Sequence, residues 1–421
     1  MRNIPQYVCG VIPPHILTRV AERTDDAAQD DARATLEQMR ELATGRARTL
    51  IEGPAAAPPD TTRKRRNVYD ARHQTRLPGK LAMSEHKPRS ADVEVNEAYD
   101  GSGATYDFYA QLFGRRSIDG KGMRLDSTVH YGTRFENAMW NGRQMVYGDG
   151  DGRIFNRFTA SLDVIGHELT HGVTQFSTAL GYSGQTGALN EHLSDAFGIM
   201  VKQYKLGLSA SESDWLIGAE LFGPGVNGKG VRSMAAPGTA YDDPVLGRDP
   251  QPSHMRDYVH TVEDNGGVHI NSGILNHAFY RAAMAIGGKT WHVLGKIWYV
   301  ALTERLKPEA DFVDFARATT DIAGELYGNG GEVQRIIAGA WSDVGLKVPL
   351  FACDSPSHSA SRHSRLRLGP TERCRPCRLE VASASRPLTL GRPTRGGCAR
   401  RAPEQPRLRH PPAVLAEWRI P

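Results

Sequence analysis

The segment DVIGHELTHGVTQ, residues 163–175, holds two histidines four residues apart, with a glutamate directly after the first. Apolar residues recur at three- and four-residue steps over 161–178, which predicts a helix. His167 and His171 therefore lie on one helix face, where two imidazoles can bind one metal ion. Glu168 lies about 100° round the axis, where it can reach a water molecule on the metal but is poorly placed as a third ligand. On this motif alone, a polar helix face with two hydrogen-bonded histidines remains the alternative.

A third metal ligand is expected from the helix that follows. A catalytic zinc ion takes three protein ligands and keeps a fourth position open. A second predicted helix begins after the turn-rich segment 180–187, and a helical hairpin would bring Glu191, in its first turn, against the histidine pair. Asp195, one turn further, and Asn190 are predicted to accept the remaining ring N–H groups. Taken singly, the two acids are equally consistent with helix N-terminal residues stabilised by the helix dipole.

The segment DNGGVHINSG, residues 264–273, offers a hydrogen-bond donor. Its two glycines permit a tight turn, and Asp264 stands five residues before His269. A histidine paired with a carboxylate is held as a donor. A loop histidine without a functional role is the alternative at this position.

The elements that must position these residues fall into two groups. Residues 67–160 contain turns, short β-like runs and a helix near 91–115; the β-like runs are VYDAR, LPGKL, TVHYG and QMVYGDGDGRIF. Helical patterns dominate residues 161–349, at 161–178, 188–205, 271–286, 289–305, 309–326 and 330–345. This order predicts an α+β protein with a β-rich N-terminal lobe, a helical C-terminal lobe and a ligand site in the cleft between them.

Three further segments flank these lobes. Residues 1–52 form a small unit with an extended start and a helix near 30–50. Residues 53–66 are a Pro/Ala-rich linker that ends in a basic cluster, where we expect proteolytic maturation. Residues 350–421 are rich in Arg, Pro and Ser, and their weak apolar periodicity predicts a disordered tail, either functional or a frameshift product.

Charge and cysteine content exclude several classes of protein. The net charge is +5, but residues 353–421 hold 14 arginines and five acids and carry +9, so that residues 1–352 carry −4. We therefore expect no nucleic-acid partner for the globular part. The sequence contains no run of 18 apolar residues, so we expect no membrane-spanning helix. No standard secretory signal is visible. Residues 10–352 lack cysteine, which excludes a disulfide or a thiol nucleophile there.

Several motifs together resemble those of the thermolysin-like zinc endopeptidases. HELTH, GALNEHLSD, RSM (232–234), DNGGVHINSG and NAMWNG (137–142) occur in the order and at the spacings of that family. The resemblance covers about 67–349, and VIPPHIL (11–17) resembles the short propeptide of the protealysin-like branch.

This resemblance implies a two-lobed thermolysin-like peptidase with one catalytic zinc ion. It implies cleavage of internal peptide bonds on the N-terminal side of bulky apolar residues in protein and peptide substrates, by a monomer. Secretion is implied as well, with a cytoplasmic location or leaderless export as the alternatives. The implied roles are zinc ligands at His167, His171 and Glu191; a general base at Glu168; transition-state donors at Tyr182 and at His269, oriented by Asp264; and substrate-binding groups at Arg232, Asn137 and Ala138.

The sequence departs from the family at its paired calcium site. Lys202, Leu216 and Ala219 stand at three matching positions, while Asp163 and Asp214 remain. A lysine would put a positive charge where a dication binds, so we expect the double calcium site to be lost and do not expect a single calcium ion either, although one remains an alternative.

Residues 1–52 are expected to inhibit the enzyme from within the same chain. A segment lying in the cleft would block it, and Pro13-Pro14 would make that segment a poor substrate. Cys9 has two interpretations: its thiolate occupies the open zinc position, or it packs the propeptide as a partly buried thiol.

Two other functions compete with an endopeptidase. A zinc aminopeptidase shares the histidine motif but needs an acidic anchor for a free amine, and the G-x-M-x-N pattern typical of such an anchor is absent. A non-catalytic binding protein would be expected to have lost Glu168 and His269, and both are present.

Overall fold

A five-stranded sheet lies in the N-terminal lobe of the computed structural model, which describes residues 10–52 and 63–348, with the backbone alone for residues 45–52. The sheet order is β2-β1-β3-β5-β4. β1 pairs in parallel with β3 and β3 with β5, and the remaining neighbours are antiparallel. The strands are β1 (Arg66–Asp70), β2 (Lys80–Ser84), β3 (Leu125–Val129), β4 (Ala138–Trp140) and β5 (Met145–Tyr147). Four further two-residue strands form two small ribbons, β6 (Leu216–Ile217) with β7 (Arg232–Ser233) and β8 (Asp242–Asp243) with β9 (Gly247–Arg248).

Nine α-helices complete the described chain. Two precede the linker, one crosses the N-terminal lobe and six form the C-terminal lobe: α1 (Pro14–Arg23), α2 (Ala27–Glu52), α3 (Val93–Phe113), α4 (Leu162–Gln175), α5 (Gly184–Leu206), α6 (Asp264–Ile286), α7 (Thr290–Val300), α8 (Phe312–Tyr327) and α9 (Glu332–Asp343). None of the helices in this part of the chain has the length and apolar character needed to cross a membrane.

The close approach of α4 and α5 sets the geometry of the C-terminal lobe. Gly198 of α5 faces the backbone of α4, and a Cβ atom there would lie 2.5 Å from the carbonyl oxygen of Asp163. Only a glycine permits this crossing. It brings the buried face of α4 that carries His167 and His171 against the first turns of α5.

The N-terminal segment, residues 10–52, runs past the free edge of the sheet. β4 is the edge strand, and the backbone N–H of Val11 donates to the carbonyl of Ala138 at 3.2 Å. Pro14 is the first residue of α1. Proline fits there because it lacks an N–H, and N–H groups in the first turn of a helix have no intrahelical acceptor. Ile16, Leu17 and Val20 of α1 are buried in the same core as the lobes, so the segment packs as part of one hydrophobic unit.

The predicted α+β fold is confirmed, and individual elements shift in position. The β-like run 144–155 contributes only Met145–Tyr147 to the sheet, because the glycine-rich remainder turns away. α6 (Asp264–Ile286) opens with the left-handed residues Asp264–Gly267, so its right-handed part begins near Val268, a few residues before the predicted 271. The predicted helix 289–305 ends as α-helix at Val300 and continues as a π-helical turn, Ala301–Arg305. The predictions for Cys9, for linker residues 53–62 and for the tail 350–421 fall outside the described residues.

Candidate active site

The two histidines of α4 and the glutamate of α5 converge as predicted. The Nε2 atoms of His167 and His171 lie 3.1 Å apart. Glu191 places Oε1 3.3 Å from His171 Nε2 and Oε2 3.5 Å from His167 Nε2. A tetrahedral zinc site with bonds of about 2.0–2.1 Å separates its ligand atoms by about 3.4 Å. The three side chains therefore have the spacing of zinc ligands, and all three are buried.

Hydrogen bonds on the far side of each imidazole fix its orientation. His167 Nδ1 lies 2.8 Å from Asp195 Oδ1, and His171 Nδ1 lies 3.0 Å from Asn190 Oδ1. With Nδ1 of each ring held by an oxygen, the two Nε2 atoms face each other, an arrangement that suits a shared cation. This orientation is the observation that fits the pair to a metal ion. Ser194 also lies within hydrogen-bonding distance of His171 Nδ1, at 3.1 Å.

The charges around the ligands favour ionised carboxylates. Burial would raise the pKa of Glu191, but His269, His171 and His167 hold it well below its usual range. Burial acts the same way on Asp195, and there Arg232 and His167 keep the pKa well below its usual range. Arg232 binds Asp195 through two nitrogens, at 2.8 and 2.9 Å. Both acids are thus present as anions at neutral pH.

Glu168 is fully buried beside the ligands, as its position in the motif predicts. Its Oε2 accepts the backbone N–H of Trp140 at 2.9 Å, which fixes the carboxylate to the edge strand β4. Its Oε1 is buried and receives no hydrogen bond from the described residues. One carboxylate oxygen is therefore oriented and the other is available to a proton.

His269 and Tyr182 lie across from the histidine pair. Asp264 accepts from the backbone N–H of His269 at 2.8 Å and lies 2.6 Å from its Nδ1. Gly267 has φ of 76°, and this left-handed turn brings the carboxylate of Asp264 back against His269. Burial alone would lower the pKa of His269, but Asp264 and Glu191 raise it to about 9. His269 is therefore a charged donor at neutral pH. Its Nε2 lies 3.3 Å from the hydroxyl of Tyr182, which donates to Glu191.

The three predicted substrate-binding residues contact the N-terminal segment. The side chain of Asn137 accepts from the N–H of Ile12 and donates to its carbonyl, both at 3.0 Å. Ala138 accepts from the N–H of Val11, and Arg232 donates to the carbonyl of Val11 at 3.1 Å. The N-terminal segment therefore passes along β4 between the lobes.

Three groups of the site were not predicted from the sequence. Asn276 donates to Asp195 Oδ2 at 2.8 Å and lies seven residues after His269 on α6, a helical spacing that could have identified it. Ser194 directly precedes the predicted Asp195 on α5, a position that could have identified its hydroxyl from the sequence. The Trp140 amide is a backbone group, and no residue type marks it in the sequence.

Lys202 occupies the place where the family pattern would have calcium-binding acids. Its ammonium lies 2.9 Å from Asp163, 3.1 Å from Asp214 and 3.7 Å from Glu220. Leu216 lies in β6, and Ala219 follows that strand. This geometry agrees with the predicted loss of the double calcium site, which remains a prediction about ion content.

Comparisons with known proteins agree with this geometry. Residues 57–175 match the model of the thermolysin metallopeptidase catalytic domain, and residues 178–346 match that of the thermolysin metallopeptidase alpha-helical domain. The chain is 49% identical over 345 residues to an extracellular metalloprotease of Pectobacterium carotovorum subsp. carotovorum, covering 81% of this chain and 97% of the relative. It is 39% identical over 290 residues to a thermolysin of Alicyclobacillus acidocaldarius subsp. acidocaldarius, covering 66% of this chain and 50% of that protein. The precursor of protealysin, a metalloproteinase from Serratia proteamaculans, is a similar solved structure, with a TM-score of 0.71 and 48% identity over 80% of this chain and 99% of that chain.

Proposed function

Since this chain belongs to the thermolysin family of metallopeptidases, we propose that it is a zinc-dependent endopeptidase made as a self-inhibited precursor. That the chain is a peptidase follows from its family. The proposal concerns the bonds it cleaves, the roles of its residues and its inhibition by the N-terminal segment.

The proposal of endopeptidase activity rests on the way the N-terminal segment runs through the cleft. Val11 and Ile12 lie on the edge strand with chain continuing on both sides of them, through Gly10 and Pro13. A cleft that holds the interior of a peptide suits cleavage of internal bonds. An aminopeptidase needs a closed end with a carboxylate that binds a free amine, and here the chain passes through.

The proposed chemistry assigns proton transfer to Glu168. When bound, zinc supplies a Lewis acid that polarises the scissile carbonyl and lowers the pKa of water. Glu168 takes a proton from the attacking water and delivers it to the leaving amine, as a buried carboxylate with one free oxygen can. The Trp140 amide keeps the other oxygen in place during both transfers.

His269 and Tyr182 are proposed to stabilise the transition state. The His269 imidazolium, kept charged by Asp264, donates from Nε2 toward the site, and the Tyr182 hydroxyl lies beside it. Both donors face negative charge that develops on the carbonyl oxygen only as the bond to water forms. Fixed donors of this kind lower the barrier because they need no reorganisation.

Val11 supports a preference for apolar residues after the cleaved bond. Its carbonyl accepts from Arg232, the contact that the family resemblance assigns to a substrate, and the side chain is fully buried. We propose that the enzyme cleaves on the N-terminal side of Leu, Phe, Ile or Val. Discrimination among them should be modest, because one methylene is worth about 1–3 kcal/mol in such a pocket.

The N-terminal segment is proposed to be the inhibitory part of a propeptide, residues 1–52. It occupies the substrate-binding groups, and its two prolines restrict the backbone and remove N–H donors next to the cleft. Maturation would cut within 53–66, leaving the catalytic lobes 67–160 and 161–349. Relatives named extracellular metalloproteases support an action outside the cell on proteins and peptides; we propose that the mature enzyme acts as a monomer.

The variant Glu168→Ala tests these roles together. It should retain zinc, keep its full-length N-terminus when expressed alone, and lose about 10²–10⁴-fold in casein hydrolysis, the usual contribution of a general base. Glu309→Ala, at an exposed acid outside the site, is the matched control and should behave like the unaltered chain. A chelator should abolish activity, and a peptide blocked at both ends should be cut before apolar residues.

Three results would contradict the proposal separately. Resistance of the blocked peptide would exclude an endopeptidase. More than about a tenth of the rate in Glu168→Ala would assign the base to another group. Full casein activity of the intact precursor would show that residues 1–52 are not an inhibitor.

A further inference from the structure

A second group of ligand-type side chains lies in the N-terminal lobe. Glu94, His130 and Asp149 place their potential ligand atoms within 4.8 Å of one another, and none of them belongs to the active site. Glu94 lies in the first turn of α3, His130 directly follows β3, and Asp149 lies in the loop after β5. Three separate elements therefore meet at this cluster.

The distances within the cluster resemble those of a metal site. His130 Nδ1 lies 3.1 Å from each carboxylate oxygen of Asp149 and 3.6 Å from Glu94 Oε2. Ligand atoms of a tetrahedral zinc ion are separated by about 3.4 Å, given bonds of about 2.0–2.1 Å. The three side chains are 12–22% exposed, so an ion could enter while remaining partly shielded from solvent.

Asp92 orients the imidazole of His130. Its Oδ2 lies 2.8 Å from Nε2, while its Oδ1 accepts the backbone N–H groups of Glu94 and Val95 and so caps α3. Nδ1 is thereby directed toward Glu94 and Asp149. A carboxylate on the far nitrogen of a histidine is the arrangement that supports metal-ligating imidazoles. The same arrangement holds His167 at the active site, through Asp195.

The charge of the cluster also favours a cation. Three carboxylates, from Asp92, Glu94 and Asp149, face the imidazole of His130, and the largely exposed imidazole of His73 lies 3.4 Å from Asp149. Glu94 Oε2 is buried and receives no hydrogen bond from a donor within the described residues. Burial, and next the charge of Asp149, raise the pKa of Glu94 to about 8. Metal ligands must be deprotonated, so an ion at this cluster would compete with protons on Glu94 and His130.

We propose that Glu94, His130 and Asp149 bind a second metal ion of the Zn²⁺ class, with Asp92 orienting the histidine. The imidazole nitrogen favours a transition metal over Ca²⁺ or Mg²⁺, which prefer oxygen ligands. The bound ion joins the start of α3 to the ends of β3 and β5. Since β5 pairs with the edge strand β4, the ion braces the sheet that borders the substrate cleft.

Metal content of the full chain tests this site. The carrier is the chain with Glu168→Ala, which keeps the three catalytic ligands and prevents self-cleavage. Titration with Zn²⁺ at about pH 8, followed by calorimetry and elemental analysis, should give a second equivalent beyond the catalytic one. This equivalent should bind at least about tenfold more weakly at pH 6.5, because Glu94 and His130 must release protons to bind it.

Paired variants locate the second equivalent. Glu94→Gln and Asp149→Asn should each remove it and leave the first in place. Glu97→Gln is the matched control, because this acid lies one turn further on α3 and pairs instead with Arg157. The control should bind both equivalents, and the added Zn²⁺ should raise the melting temperature of the control but not of Glu94→Gln.

The proposal is overturned if the chain binds a single Zn²⁺ at this pH. It is overturned equally if a second Zn²⁺ persists in both Glu94→Gln and Asp149→Asn, since the ion would then lie elsewhere. Binding of Ca²⁺ with no second Zn²⁺ would overturn the class of metal. If one variant does not fold, the other decides, because each removes a different ligand.

Discussion

The helix pair α4–α5 carries two buried charged clusters, and only one of them leaves a position for a metal ion. At the first, His167, His171 and Glu191 bring acceptor atoms together at 3.1–3.5 Å. At the second, one turn earlier on α4, Asp163 faces the ammonium of Lys202 at 2.9 Å. The same scaffold thus holds a set of acceptors at one place and an internal ion pair at the other.

The difference lies in whether the chain supplies its own cation. Burial would lower the pKa of Lys202, but Asp163, Glu220 and Asp214 raise it, so the ammonium stays charged. Its N–H groups satisfy the acids that would otherwise need a dication. The histidine cluster contains no such donor among its three ligands, and its imidazoles are oriented by Asp195 and Asn190 as metal ligands. We therefore expect the first cluster to depend on an added ion and the second to be independent of one.

The largest expected effect comes from removing the anionic ligand of the first cluster. Glu191→Gln leaves a neutral amide opposite two imidazoles, so zinc affinity should fall on the order of 100-fold or more, and casein hydrolysis with it. Elemental analysis after dialysis against a weak chelator measures the loss. Glu220→Gln, which removes a carboxylate from the Lys202 cluster, is the matched control and should keep its zinc.

Full zinc occupancy together with unaltered activity in Glu191→Gln would contradict the assignment of Glu191 as a zinc ligand. The metal would then be held without its only anionic ligand in the proposed set.

The second prediction concerns replacement of Lys202, the cation of the second cluster. Lys202→Met leaves Asp163 buried without its cation and should lower stability by about 3 kcal/mol, a loss of several degrees in melting temperature. Lys202→Glu should be similarly unstable without calcium but should gain stability when Ca²⁺ is added, because it places a further carboxylate among Asp163, Asp214 and Glu220. Thermal melts with and without Ca²⁺ measure both effects.

The unaltered chain is the control for this prediction, and Ca²⁺ should leave its melting temperature nearly constant. A large stabilisation by Ca²⁺ that is the same in the unaltered chain and in both variants would show that calcium binds elsewhere. An unaltered melting temperature in Lys202→Met would show that the ion pair contributes little.

The parts of the site that depend on helical spacing could be predicted from the sequence. His167 and His171 share a face because they lie four residues apart, and Asn190, Glu191 and Asp195 follow from their close spacing on the next helix. The family resemblance supplied the roles of residues that lie far apart in the chain, such as Arg232 and Asn137. These assignments needed no knowledge of how the lobes pack.

Contacts made by packing could not be read in the same way. The Trp140 amide meets Glu168 only because β4 lies against α4, and a backbone group leaves no mark in the sequence. The right-handed part of α6 starts a few residues before the predicted 271, directly after the predicted tight turn, whose residues Asp264–Gly267 have positive φ. The cluster at Glu94 escaped notice because its members come from three elements separated by tens of residues.

The smallest predicted effect concerns a third buried group, His15 of the N-terminal segment, which has neither a metal-site geometry nor an ion pair. Both of its ring nitrogens are buried, and neither has a hydrogen-bond partner among the described residues. Burial lowers the pKa of His15 to about 4; Asp264 opposes this shift, and His269, Arg19 and Arg232 add to it. His15 is thus neutral when the segment is docked, and protonation opposes docking.

The sign of the pH effect follows from this depressed pKa. Above about pH 6.5, the ordinary pKa of histidine, neutral His15 makes its full contribution to the free energy of docking of the N-terminal segment. This contribution is lost as the pH falls toward 4. At pH 5 the loss amounts to about 2 kcal/mol, or about 30-fold in the docking equilibrium. Glu136, whose pKa burial raises to about 9, acts in the opposite sense, so the contribution of His15 must be read as a difference between variants. The measurement is the initial rate of the precursor on a blocked peptide, divided by that of the mature enzyme, at pH 5 and pH 7.5. His15→Leu should make this ratio less dependent on pH by about that factor, and an identical pH dependence in both proteins would show that His15 does not sense acid.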